Sequence, residues 1–144
     1  MNVMSDRSFV DTNLWVYLFS DSESVDDKNK KSVVVSLLRK SSEIVVSGQV
    51  LAELVNVFLK KTAFSYEKIQ LIVHEIIETV EVVPVDEQDI SYALDIEERY
   101  KLSWYDALIV ASAVSSEADI LYTEDMQNAL QIDKSIRITN PFIS

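Results

Sequence analysis

The sequence predicts an α/β domain in which a parallel sheet carries helices on both faces. Three observations lead there. Five brief apolar or β-branched runs, "SFVD", "EIVVS", "TVEVVPV", "ADILYT" and "IRIT", are each bounded by polar residues, as short buried strands are. Longer segments between them repeat apolar residues at helical spacing. Strands that alternate with helices build parallel βαβ units rather than hairpins. With 144 residues and no repeat, Gly/Ser linker or low-complexity block, residues 1–144 read as one domain. A chain of about this length buries roughly 68–70% of its unfolded surface, and 48% apolar residues can fill the core.

The elements follow in order. In "FVDTNLWVYLF" (Phe9 to Phe19) the first strand stops at Asp11, which is suited to cap a helix beginning near Asn13. "SDSESVDDKNKKS" reads as a loop leading into the helix "VDDKNKKSVVVSLLRK", apolar at Val33, Leu37 and Leu38 and basic at its end. After the second strand, "GQVLAELVNVFLKK" repeats at Val50, Leu54, Val57 and Phe58. "SYEKIQLIVHEIIE" precedes the third strand; "DEQDISYALDIEERY" and "SWYDALIVASAVSSE" separate it from the fourth.

Composition removes several chemistries. Gly48 is the only glycine, so a P-loop, a GxGxxG turn and a GxSxG elbow are impossible. His74 is the only histidine, and its H-E-I-I-E context lacks the second histidine of a zinc protease; it reads as an ordinary helix-surface or core-edge histidine. No cysteine is present, which excludes disulfides and thiolate metal sites and fits a reducing cytosol. No run reaches the roughly 18 apolar residues of a membrane span. "MNVMSDRS" has neither the basic start nor the apolar core of a signal peptide. The net charge of −11 argues against attraction to nucleic acid by the protein as a whole, unless a basic groove or bound cations reverse the sign locally. Any chemistry must rest on carboxylates.

Four acids are candidates, and each also has a plain structural explanation. Asp11 can cap a helix. Glu53 has Gln49, Val50, Asn56 and Val57 three and four positions away, so it borders the apolar stripe as rim glutamates do. Asp106 completes "SWYD", an S-x-x-D capping signature on Ser103, yet it is the only charge in "WYDALIVASAV", where an unpaired carboxylate costs free energy. Asp125, in "TEDM", suits the first turn of a helix, and Glu124 and Asp119 compete for its role. Their combination says more. Two follow strands and two lie near helix starts, so a parallel sheet carries all four to one edge, where ligands bind at a switch in strand order. Carboxylates about 4 Å apart repel by roughly 4 kcal/mol at an effective dielectric near 20, so clustered acids share protons or cations. Oxygen ligands alone select hard ions such as Mg²⁺ or Mn²⁺, which support phosphodiester displacement by metal-activated water.

In order and spacing, "FVDTNLWVYLF", "VSGQVLAELVNVF", "LSWYDALIVASAV" and "ADILYTEDM" resemble the motifs of the PIN-domain nucleases, above all the VapC-like ribonuclease toxins of type II toxin–antitoxin systems. "IRITNPF" resembles that family's closing strand, and the resemblance covers nearly the whole chain. It implies a three-layer α/β/α sandwich with a mainly parallel sheet, usually a cytoplasmic homodimer with a cognate antitoxin. It implies an RNA substrate and one or two Mg²⁺ or Mn²⁺ ions per site. The family's metal-binding and catalytic acids map onto Asp11, Glu53, Asp106 and Asp125, with Thr12, Asn13 and Thr123 as supporting polar groups. Lys60 and Lys61, two turns beyond Glu53, are candidate phosphate contacts, or else a basic helix end meeting the dipole. Many members have a further Asp where this chain has Gln127, a departure that bears on a second metal position. The implied reaction is in-line attack by a metal-bound water, leaving 5′-phosphate and 3′-hydroxyl ends, with Glu53 or Asp106 as proton acceptor.

Two other classes remain in view. A PIN-fold interaction module of little or no nuclease activity would use the acidic edge to dock a basic antitoxin arm; the charge and Gln127 favour it. A dehalogenase-like phosphatase needs a second acid where Asn13 stands, and a response-regulator receiver needs a late lysine that "ILYTED" lacks.

Overall fold

The computed structural model describes residues 6–143; the first five residues, on which the signal-peptide reading partly rests, lie outside them. The elements run β1 (Arg7–Val10), α1 (Thr12–Phe19), α2 (Val25–Lys40), β2 (Glu43–Ser47), α3 (Gly48–Lys61), α4 (Tyr66–Thr79), β3 (Glu81–Val83), α5 (Glu87–Tyr100), α6 (Trp104–Ser115), β4 (Ile120–Tyr122), β5 (Gln131–Ile132) and β6 (Ile136–Thr139). The strands form one sheet in the order β3-β2-β1-β4-β6-β5. All neighbours are parallel except β5 and β6.

This order follows from the connections. The chain steps outward from β1 to β2 to β3, then returns past β1 to β4. Right-handed crossovers in opposite directions put their helices on opposite faces. Accordingly α1 packs on α2 and α3, and α3 on α4, while α5 pairs with α6, which lies on β2 and β4. The result is the expected three-layer α/β/α sandwich. Phe9 is in register with Val45 on one side and Leu121 on the other, and all three are fully buried. Helix α6 is buried from Ala107 to Ala113, and full burial of each large side chain in it contributes about 1.5–3 kcal/mol. Its first turn, with Asp106, reaches the rim at the carboxyl edge of the sheet.

Among the described residues all six helices start on a Ser or Asp cap: Asp11, Ser24, Ser47, Ser65, Asp86 and Ser103. Such caps contribute about 1 kcal/mol each. Helix α1 begins at Thr12, one residue before the sequence suggests. β3 is shorter than "TVEVVPV", because Thr79 and Val80 close α4 and Pro84 has no N–H to extend the ladder.

β5 is not anticipated by the sequence. It forms a hairpin with β6 through a turn in which Ser135 N–H donates to Ile132 O at 2.8 Å. Its central residues Asp133 and Lys134 have φ of 49° and 59°, the left-handed geometry usually supplied by Asn-Gly. Helix α5 supports this turn: Arg99, Tyr92 and Tyr100 all donate to the Asp133 carboxylate.

Candidate metal and catalytic site

The switch in strand order falls between β1 and β4, and the site is built there. Val10 pairs with Tyr122, so Asp11 and Thr123 leave the sheet side by side. Asp11 N–H donates to Tyr122 O at 3.0 Å. Its carboxylate accepts Thr12 N–H on Oδ1 at 2.7 Å and the Thr123 hydroxyl on Oδ2 at 2.8 Å. Asp11 is therefore both the helix cap the sequence suggests and an acid held from both sides. Burial pushes its carboxyl up to about 6; Thr12 and Thr123 pull the other way, and the charges of Glu53 and Asp125 add to the rise.

Asn13 braces the opposite wall. Its Nδ2 donates to Asp125 Oδ2 at 2.8 Å and to Thr123 Oγ1 at 3.3 Å, and its Oδ1 accepts Glu124 N–H at 3.3 Å. Asp125 N–H donates to Thr123 Oγ1 at 3.2 Å. Thr12, Asn13 and Thr123 thus orient the acids, as outer polar groups do at metal sites.

Glu53, on the second turn of α3, accepts Thr12 Oγ1–H on Oε2 at 3.2 Å and Gln49 Nε2–H on Oε1 at 2.9 Å. Asp106 N–H donates to Ser103 Oγ at 3.3 Å, so the capping role is real. Burial raises the Asp106 carboxyl above the usual carboxylate range; the Ser103 hydroxyl opposes this, and Asp125 and Glu53 add to it. Glu53 and Asp125 thus act on both Asp11 and Asp106 at the carboxyl edge of the sheet.

Among the described residues, no three Asp, Glu or His side chains draw together tightly enough to enclose an ion. Mg²⁺ does not require an all-protein cage; it keeps several waters and takes one or two carboxylates. The donors are oxygens alone. That set fits a hydrated hard cation.

The two rival acids are committed elsewhere. Asp119 accepts Arg7 N–H at 3.0 Å at the far end of β1, where the Arg7 guanidinium also bonds Glu43, Glu81 and Ser116 O. Glu124 bonds Tyr17 and Lys30. Lys60 and Lys61 stand exposed in the last turn of α3, about 10 Å of helical rise beyond Glu53. His74 is exposed and lies 3.0 Å from Glu78 on its own helix, and Gln127 is exposed. Three participants escape the sequence reading: Gln49, Tyr17 and Lys30. Only Gln49 leaves a trace there, four residues before Glu53 on the same helical face.

The PIN domain model matches residues 8–133. The chain belongs to the PIN domain family. Among curated proteins no sequence match was found. Solved structures superpose along most of the chain. A toxin–antitoxin complex from Klebsiella pneumoniae is similar at TM-score 0.69 and 20% identity, covering 94% of this chain and 98% of that one. VapC20 of Mycobacterium tuberculosis, described as a sarcin-ricin loop cleaving toxin, gives 0.65 at 20% identity over 82% and 89%. VapBC2 from Rickettsia felis, bound to promoter DNA, gives 0.65 at 21% over 92% and 97%. At these identities the superpositions speak for the fold.

Proposed function

We propose that this PIN domain is a metal-dependent endoribonuclease, the toxin of a type II toxin–antitoxin pair acting in the cytoplasm as a homodimer. The observation that carries the reading is the gathering of Asp11, Glu53, Asp106 and Asp125 at the strand switch, each oriented by its own donor. Family membership supports nuclease chemistry, and the toxin–antitoxin complexes with the same fold support an antitoxin partner. No helix among the described residues is long and apolar enough to cross a membrane.

Asp11 and Asp125 would hold Mg²⁺ or Mn²⁺, with Glu53 and Asp106 completing its surroundings. When bound, such an ion polarises a phosphate oxygen and lowers the pKa of a water. Thr12 and Thr123 keep both Asp11 oxygens aimed, and Asn13 does the same for Asp125. Glu53 already accepts a donor on each oxygen, whereas Asp106 is half-buried with Ser103 as its hydrogen-bonding neighbour. Asp106 is therefore the better proton acceptor from the attacking water. Lys60 and Lys61 serve as outlying phosphate contacts.

The test is cleavage of a total RNA pool with Mg²⁺ or Mn²⁺ beside a chelator control. Asp106→Asn keeps the Ser103 cap, so it should fold and lose metal-dependent cleavage. Wild-type cleavage by that variant would sink the four-acid reading. A second reading, a docking module for a basic antitoxin arm, draws on the absence of a closed three-acid cluster among the described residues and the charge of −11. Mn²⁺ calorimetry on wild type and Asp11→Ala separates the two, since a docking module need not bind metal tightly.

A further inference from the structure

Two acids stand side by side on the loop leaving β4, and only Asp125 reaches the site. We propose that Lys30 and Tyr17 clamp Glu124 away from the metal site and so set the position of Asp125, an inference that rests on the ribonuclease reading above. The Tyr17 hydroxyl donates to Glu124 Oε1 at 2.6 Å. Lys30 Nζ lies 2.5 Å from Glu124 Oε2 and donates to the Tyr17 hydroxyl at 3.2 Å. Both carboxylate oxygens are thereby engaged on the side of α1 and α2.

The cation itself is boxed. Lys30 Nζ lies 4.9 Å from the Tyr17 ring centre and 5.3 Å from that of Phe142, and the two rings meet edge to face at 5.4 Å. Rings offer an ammonium their negative faces. The Lys30 and Glu124 side chains are only 23% and 25% exposed, so water competes weakly for the pair. The clamp joins α1, α2 and the chain's last described residues to the loop that bears Asp125.

Asn13 passes this constraint to the site. Its Oδ1 holds Glu124 N–H while its Nδ2 holds Asp125 Oδ2. A Glu124 that moved would drag the bond that aims Asp125. A released Glu124 would also put an uncompensated negative charge beside the four acids. Lys30 and Tyr17 are positioning residues; the groups that would meet the metal are the acids.

Mn²⁺ titration calorimetry on the full chain, paired with RNA cleavage kinetics, tests this. Wild type and Asp125→Asn come first. A wild type that binds no Mn²⁺ overturns the ribonuclease reading and the clamp with it. Given binding, Lys30→Met keeps an unbranched apolar side chain and removes the ammonium. It should weaken Mn²⁺ binding about tenfold or more, the usual effect of losing an outer support. It should lower kcat while leaving KM for RNA in place, and Lys30→Arg should recover most of the loss. In a Glu124→Gln background, Lys30→Met should add little. Should Lys30→Met fail to fold, Tyr17→Phe deletes only the hydroxyl and should weaken Mn²⁺ in the same direction. Unchanged Mn²⁺ affinity in a folded Lys30→Met or Tyr17→Phe protein, whatever its Tm, overturns the clamp. So does a rise in KM alone, which would make Lys30 a direct phosphate contact.

Discussion

Asp11→Asn should make the protein more stable while disabling it. The folded carboxyl sits at about 6 against an ordinary 3.8. A gap of just over two pH units, at about 1.4 kcal/mol per unit, is a penalty of roughly 3 kcal/mol on the charged form at neutral pH. Asparagine removes the charge but has one acceptor oxygen, so either the Thr12 N–H or the Thr123 hydroxyl loses its partner, a cost of about 1–2 kcal/mol. The net gain is about 1–2 kcal/mol, or roughly 3–7 °C in Tm for a chain of this size. The sign with pH is definite. An acid whose folded pKa is raised gives its stabilisation below the unfolded value near 3.8 and loses it as pH rises towards 6. The variant's advantage should therefore be full at pH 7 and shrink as pH falls from 6 to 4. Thermal melts in chelator at several pH values measure it. Excess Mg²⁺ should raise the wild-type Tm by mass action and leave the variant unmoved. A variant less stable than wild type at pH 7 in chelator, or a Tm difference indifferent to pH across that window, refutes the reasoning.

The other predictions concern groups away from the chemistry. Arg7→Met strips four hydrogen bonds from the far edge of the sheet. Because Glu43 and Glu81 are half-exposed, the loss should be only about 1–2 kcal/mol, with Mn²⁺ affinity unchanged; melts and calorimetry decide. Arg99 and then Tyr92 hold the Asp133 carboxyl well below the usual range. A depressed acid stabilises above its unfolded pKa and loses this as pH falls through the folded value. Asp133→Asn should thus cost stability at pH 6, with the deficit narrowing as pH drops below about 4. A deficit that stays constant to acid pH would mean that the turn, not the charge, is at stake. Ser112 Oγ is buried without a hydrogen-bond partner, so Ser112→Ala should raise stability by about 1 kcal/mol, and a lower Tm would show that the hydroxyl is satisfied.

Much of this was legible in the sequence because the site uses short-range grammar. Asp11 and Asp125 follow strands, and Glu53 and Asp106 lie near helix starts, so a parallel sheet is enough to bring them to one edge. Thr12, Asn13 and Thr123 are chain neighbours of those acids, which put them within reach of a motif reading. Lys30 had no such tie. It is 94 residues from Glu124, and only the packing of α2 on α1 brings them together. The residues alone leave Glu124 in competition with Asp125, and only the resemblance selects Asp125, since the partner that engages Glu124 is distant in sequence. β5 was hidden because it is two residues long and its turn lacks Asn-Gly. A turn that takes its geometry from outside itself leaves no local signature.

That last point bears on the order of assembly. Consecutive left-handed residues with side chains cost roughly 1–2 kcal/mol each, and two strand residues facing β6 return little. The hairpin closes on itself only at a loss. What holds it is the fork of Arg99, with Tyr92 and Tyr100, on a helix some 35 positions earlier. Helix α5 is thus a template on which the carboxyl-terminal segment is moulded after the sheet's centre exists. A detached peptide of residues 127–143 should remain unstructured, and Arg99→Met in the full chain should leave the β5–β6 edge frayed.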